Sequence, residues 1–469
     1  MKKIRNSDIL LSHGDIESRR IVLTLADETL ARLDAYHIIR SIASLDGDIL
    51  RVGSRSWDLS KKRNVYLIGA GKACNAMAMA FDEILGARLT RGIAIVKIKE
   101  PSDMFHHTET YVGGHPLPNE TGYHASLEIL KLVDASGPDD LFIAVISGGS
   151  SALMNCPAEG ISLQDEIDAT DALLRTGAGI YEINAVRRHI SRMNGGMLAK
   201  RIQAVGAELI GVGISDGVGG IPTSNIREPY ASYASTPIGP DKTTLDDARR
   251  VIREYHLERR LPKSVTDYLA NADPERETPK AFPGNTYFVL NTVPDSCILA
   301  RKLARDMGLD CRILTSFLEG ESKDAGMFMA SVARQIQTMG EPLRTPCLLL
   351  SCGETTTRID DDDVIEGHGG PSQELVTGFA IAAASIPGAC MLSIDTEGTD
   401  GTTPAAGGIT DSATLAAARA RGLDLRTALR THSTYEALNA LGDAVYTGNT
   451  GTNLCDFNVL YVPALSSYR

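Results

Sequence analysis

The sequence has no Cys-x-x-Cys pair: its eight cysteines, at positions 74, 156, 297, 311, 347, 352, 390 and 455, are scattered along 469 residues. That spacing excludes a disulfide scaffold and a zinc-ribbon site, and implies buried, reduced thiols. No stretch approaches the roughly 18 uninterrupted apolar residues of a membrane helix. The N-terminal run Met1 to Arg5 leads into Asn6, Ser7 and Asp8, not into the apolar core of a secretion signal. The expectation is a cytoplasmic protein without membrane contact. Basic charge is also short, with 47 Lys and Arg against 59 Asp and Glu and a net charge of −12. Nucleic-acid binding needs a basic face and is therefore not expected, whereas a small anionic substrate in a locally positive cleft remains compatible. Internal repeats and low-complexity tracts are absent.

What is present is α/β patterning. Apolar strands at Val65–Ile68, Gly92–Ile98, Leu141–Ile146 and Leu209–Ile214 alternate with helix-like segments, after a helical periodicity over Ile16–Ile42. Near-continuous apolar strands of this kind predict a mostly parallel, Rossmann-like sheet with helices on both faces. The charged, Pro-containing stretch Leu257–Pro283 reads as a surface connection. Beyond it, strands at Thr286–Leu290, Cys311–Thr315 and Cys347–Ser351 alternate with helices Asp295–Met307 and Lys323–Met339. This predicts two domains, residues 1–283 and a smaller α/β domain over 284–469, in keeping with a length beyond one hydrophobic core. The carboxylate run Asp360–Asp363 reads as a solvated hairpin tip.

Two small-residue loops follow strands. Gly69-Ala-Gly-Lys72 enters the helical pattern Ala73–Leu85, where Gly69 and Gly71 allow a tight turn, the helix N-terminus favours an anion, and Lys72 adds a full charge. Walker A spacing is missing, and as a dinucleotide fingerprint the loop carries Cys74 where Gly or Ala belongs, although Glu100 could serve as a ribose-binding carboxylate. The second loop, Ser147-Gly148-Gly149-Ser150-Ser151, offers hydroxyls and amides to phosphoryl or carboxylate oxygens; Ala152 breaks the Gly-x-Ser-x-Gly elbow of a serine nucleophile. Asn184, Arg187, Arg188 and Ser191 fall at helical spacing, with no acidic residue between Glu182 and Glu208, which suits capture of a carboxylate or phosphate. His189 reads as structural. Asp216, at the end of the fourth strand, reads as a turn former, a magnesium anchor or a base.

In family order, Gly69-Ala-Gly-Lys-Ala73, Gly114-His-Pro-Leu-Pro118, the Ser147–Leu153 loop, Asn184–His189, Ser215-Asp216, Pro240-Asp241, Gly353-Glu-Thr355, Gly369-Gly370 with Gln373-Glu374, Gly398-Thr-Asp-Gly401 and Thr450-Gly-Thr-Asn453 resemble the glycerate 2-kinase family, with its C-terminal MOFRL domain. The resemblance implies transfer of the γ-phosphoryl group of ATP to a hydroxyl of a small hydroxy acid, with Mg2+, in a cleft between domains. On this reading Lys72 stabilises transferred charge, residues 147–151 cradle phosphates, Asn184, Arg187 and Arg188 hold the substrate, Asp216 and Asp400 serve the metal, and Glu354, Asp400 and Asn453 contribute from the second domain. A homo-oligomer is compatible with it. The chain departs from the family at Pro371 and Ser372, where an active-site Arg-Asn pair is usual, and at Asn194, where Lys is usual, and so a sugar acid other than glycerate is an open substrate. An NAD(P)H-dependent hydroxypyruvate reductase and a weakly active sugar-acid binder are the alternatives.

Overall fold

The computed structural model describes residues 2–230, 237–359 and 364–464, the side chain of residue 180 excepted. The run Asp360–Asp363 lies outside the described residues. The chain forms two compact units, neither a simple half: a central unit of residues 35–215 and 223–290, and a terminal unit of residues 1–34, 216–222 and 291–469. This differs from a single cut at 283, because the first 34 residues and a short excursion after Ser215 pack with the C-terminal part.

In the central unit, β1 (Ala43–Asp46), β2 (Ile49–Val52) and β3 (Arg55–Asp58) make a small antiparallel sheet. The main sheet contains β4 (Asn64–Gly71), β5 (Arg91–Val96), β6 (Thr108–Val112), β7 (Asp140–Ile146), β8 (Glu208–Ser215) and β9 (Thr286–Thr292), in the order β6-β5-β4-β7-β8-β9. The pairings β5–β6, β4–β5, β4–β7 and β7–β8 are all parallel. Every residue of β7 is buried, as a strand covered on both faces requires. Side chains alternate across the sheet: Tyr66, Ile68, Phe142 and Ala144 pack with Ile129 and Val133 of helix Glu120–Asp134 and Ile202 of helix Met197–Ala204. Helix Cys74–Leu85 covers the other face, where Gly69 is pinched between Val145 and the Cys74 thiol.

Two readings of the sequence need correction here. The periodicity over residues 16–42 is two helices, Ile16–Leu33 and Ala35–Ile42, broken at Asp34, whose backbone is extended and whose carboxylate takes the Lys3 ammonium at 2.6 Å. That break is where the chain leaves the terminal unit for the central one. The stretch 257–283 is a surface connection only in its later part, where Asp273 to Arg276 are exposed; before it Leu257, Leu261, Val265 and Leu269, four residues apart, form a buried stripe against Leu245, Ala248, Val251 and Ile252. Exposed charges between those positions hid the stripe.

The terminal unit holds β10 (Asp310–Leu318), β11 (Cys347–Gly353), β12 (Cys390–Asp395), β13 (Gly407–Asp411), β14 (Ala444–Val445) and β15 (Asp456–Val462), ordered β10-β11-β15-β12-β13-β14. Only β10–β11 is parallel among the pairings of this sheet. Helices Ile16–Leu33 and Val293–Asp306 cover one face, Ser322–Met339 and Pro371–Ala383 the other. Arg19, buried in this unit, meets Asp411 at 2.5 Å and Asp443 at 2.7 Å. All eight cysteines are buried and free, as expected.

Candidate active site

The strand order of the central sheet reverses between β4 and β7: the chain runs outward from β4 through β5 to β6, then returns to begin again at β7. The carboxyl ends of strands at such a switch point form a crevice, the usual ligand seat of an open α/β sheet. Both small-residue loops sit there, joined by hydrogen bonds. The Lys72 amide donates to Gly148 O at 2.9 Å, and the Ala73 amide to Ser147 Oγ at 3.0 Å. Gly71, at φ +132°, lies so close that a Cβ would stand 2.1 Å from Ser147 Oγ and 2.6 Å from Ser147 O. Gly149, at φ +83°, faces the His115 ring and the Lys72 stem, 3.0 and 3.2 Å from where its Cβ would be. In the sequence only its place in the Gly-His-Pro motif marks His115, and no local pattern gives it a role. Asn194 Nδ2 donates to Ser151 O at 3.1 Å, which ties the next loop to this one.

Helix Ile180–His189 divides the expected polar face. Arg188 is not an open cation: its Nη1 meets the fully buried Asp241 carboxylate at 2.8 Å, a partner from far along the chain that local sequence could not reveal. Ser191 lies beyond the helix and accepts from the Met193 and Asn194 amides. His189 is structural, its ring held between Ala185 O at 2.7 Å and Glu277 at 2.9 Å. Asn184 is half-buried on the same helix. Arg187 has no ion pair or hydrogen bond among the described residues; the opposite charge that acts on it is the buried Glu166, whose carboxyl is pushed up to about 7 by burial.

The terminal unit gathers a different set. Asp216 belongs to this unit, and Asn453 Nδ2 donates to its Oδ2 at 3.1 Å while the Cys455 thiol donates to its backbone oxygen at 3.0 Å. Asp400 is buried, with Oδ1 accepting from the Ser372 amide at 3.1 Å and Oδ2 from the Gln373 amide and Nε2 at 2.9 Å each. It thereby caps helix Pro371–Ala383, a role that uses the oxygens expected to reach a metal or substrate. Burial pushes Asp400 up to about 7 and Asp456 well above the usual carboxylate range. Asp456 Oδ2 accepts from Thr355 N at 2.9 Å and Thr355 Oγ1 at 2.8 Å, and its Oδ1 from Ser372 Oγ at 3.4 Å. It fixes the loop that presents the exposed Glu354. Among the described residues no group of three or more His, Cys, Asp or Glu could hold a metal ion.

Residues 21–270 match a domain family of unknown function, DUF4147, and residues 347–456 match the MOFRL family. The chain is 35% identical to glycerate 2-kinase of Pyrococcus horikoshii over 97% of its own length and 99% of that protein's. The chain belongs to the glycerate 2-kinase family.

Another relative within this family is D-glycerate 2-kinase of Thermotoga maritima, 35% identical over 84% of this chain and 89% of that one. An Agrobacterium vitis relative, 36% identical over 84% of this chain and 98% of its own, carries a provisional hydroxypyruvate reductase name. The crystal structure of Thermotoga maritima glycerate kinase superposes with a TM-score of 0.75 at 31% identity, covering 94% of this chain and 99% of that chain. A Pyrococcus horikoshii crystal structure gives 0.71 at 35% identity, over 95% and 98%. The departures from the glycerate 2-kinase pattern have structural work of their own: Pro371 opens its helix at a position where a missing N–H costs nothing, and buried Ser372 joins Asp400 to Asp456.

Proposed function

We propose that this member of the glycerate 2-kinase family transfers the γ-phosphoryl group of ATP to a hydroxyl of a small hydroxy acid, glycerate being the first candidate. The observation that carries the reading is the meeting of the Gly69–Lys72 and Ser147–Ser151 loops at the switch point of the central sheet. Phosphoryl transfer asks mainly for positioning and charge neutralisation. Gly71 and Gly149 let the two loops, the Lys72 stem and the His115 ring pack closely, which gathers backbone and serine groups for phosphate oxygens, and the Lys72 ammonium offsets charge as the phosphoryl group leaves ADP. Arg187 is assigned the substrate carboxylate, with Asn184 beside it; Arg188 is committed to Asp241.

Mg2+ is proposed as a companion of the nucleotide. A magnesium ion keeps waters and phosphate oxygens and takes only one or two protein carboxylates, so the lack of a protein cage among the described residues is compatible with it. Asp216 is the carboxylate proposed for that task, and Asp400 does not fit it. Glu354 and Asn453 are proposed to contact substrate.

The test is ADP formation from MgATP over a panel of short sugar acids beginning with D-glycerate, with Lys72→Ala as control. Acid-dependent turnover that falls with the substitution supports the kinase. NADH consumption with hydroxypyruvate and no ADP formation would replace it by the reductase.

A further inference from the structure

The polar groups around Arg187 include several that the reading above leaves idle. Asn155 is fully buried and turned toward Glu166, but no hydrogen bond of ordinary geometry reaches its side-chain oxygen or nitrogen. Glu166 Oε2 and, one helical turn on, Thr170 Oγ1 are buried in the same condition. Buried polar groups in folded proteins are paired as a rule, and orphans mark a place where water or a ligand group belongs. Glu166 faces Asn155 and Arg187, yet it lies outside ion-pair distance of the guanidinium. An arginine this close to a carboxylate but not bonded to it keeps its planar fork available for a second one.

We propose that Glu166, with Asn155, positions Arg187 for the substrate carboxylate and couples that binding to uptake of one proton, which neutralises Glu166. The proposal rests on the reading of Arg187 as the carboxylate-binding residue. Two carboxylates on one guanidinium in a buried site repel each other, so the second enters readily only when the first is protonated. The proton comes from solvent and passes to the Glu166 carboxylate. Once neutral, Glu166 becomes a hydrogen-bond donor, and with the Asn155 amide it can satisfy an oxygen of a hydroxy acid. A small monoanionic acid bearing a hydroxyl is the ligand class that suits these groups.

The local charges allow this near neutrality. Burial has already pushed Glu166 up to about 7, against the opposing pull of Asn155 and Arg187. Among the described residues the Cys156 thiol also feels Glu166; burial pushes that thiol up to about 11, so it is uncharged. If acid binds only the form with neutral Glu166, apparent affinity scales with the population of that form, and KM rises about tenfold between pH 6 and pH 8.

The experiment measures KM and kcat for D-glycerate from pH 6 to pH 8 in the wild type, Glu166→Gln, Glu166→Asp and Arg187→Met, at saturating MgATP. The expected result is a rising KM profile in the wild type, a flat one in Glu166→Gln, and a partly restored slope in Glu166→Asp. The kcat profiles of wild type and Glu166→Gln should run parallel, because the titration of ATP phosphates is common to both. Circular dichroism confirms that the variants fold, and calorimetry in two buffers of different ionisation enthalpy counts the proton taken up by the wild type. Identical KM slopes in wild type and Glu166→Gln, with Arg187→Met still raising KM, would overturn the proposal alone. An unchanged KM in Arg187→Met would instead overturn the assignment of Arg187 beneath it.

Discussion

Replacing Gly71 by Ala tests the claim that the two central loops are held in close register. At φ +132° an L-residue is strained by about 1–3 kcal/mol. Space is the larger obstacle. The new Cβ would lie 2.6 Å from Ser147 O, where ordinary contact begins near 3.4 Å, so the loops must part by roughly 0.8 Å. Displacements near 1 Å at a reacting centre cost about 10²-fold in rate, so kcat/KM in the ADP-release assay should fall by about that factor. Urea unfolding should report a loss of at least about 1–3 kcal/mol. Gly160→Ala is the matched control: it sits at φ +90° with nothing within 4 Å of its Cβ position, so it should lose about 1–2 kcal/mol of stability and no activity. If Gly71→Ala keeps kcat/KM within threefold of the wild type, the interlocked loops are not where phosphate is handled.

Lys72→Met removes the cation assigned to the migrating phosphoryl group and should lower kcat by about 10²–10³-fold, read in the same assay. Arg188→Met strands the buried Asp241 carboxylate and should destabilise the chain by about 3 kcal/mol in urea titration. Arg187→Met, which breaks no ion pair, should leave that midpoint nearly unchanged and act on KM. Asp400, raised to about 7 in the fold, binds its proton more tightly there than in the unfolded chain. Its contribution is therefore greatest below pH 4 and is lost as pH climbs toward 7, by up to about 4 kcal/mol. Asp400→Asn should flatten that part of the stability profile between about pH 4 and pH 7.

The α/β character, the strands β4, β5 and β7 to β11 and the two glycine loops were legible from local pattern alone, because apolar runs and helical periodicity are short-range signals, whereas β6 and β12 to β15 were not. The terminal role of residues 1–34 was not, since membership of a unit is decided by which partner buries the apolar face of helix Ile16–Leu33, and that partner is more than 250 residues away. Arg188 looked unpaired for the same reason. Its counter-ion, Asp241, was visible only as part of a Pro-Asp motif. Only the family resemblance of its Gly-Thr-Asp-Gly loop points to Asp400 as a ligand, and the orphan amides of helix Pro371–Ala383 claim its oxygens. Asn155 and Glu166 carry no motif, and only the absence of partners in three dimensions singles them out.

The discontinuous make-up of the terminal unit bears on how the chain matures. The amphipathic segment Ile16–Leu33 leaves the ribosome well before the strands that shelter it are synthesised. Until then its apolar side lacks its native cover, while residues 35–215 and 223–290 belong to the other unit. A shortened chain lacking the opening 34 residues would accordingly show its damage at the opposite end, as an unravelled carboxyl-terminal sheet that supplying the missing peptide in trans could repair.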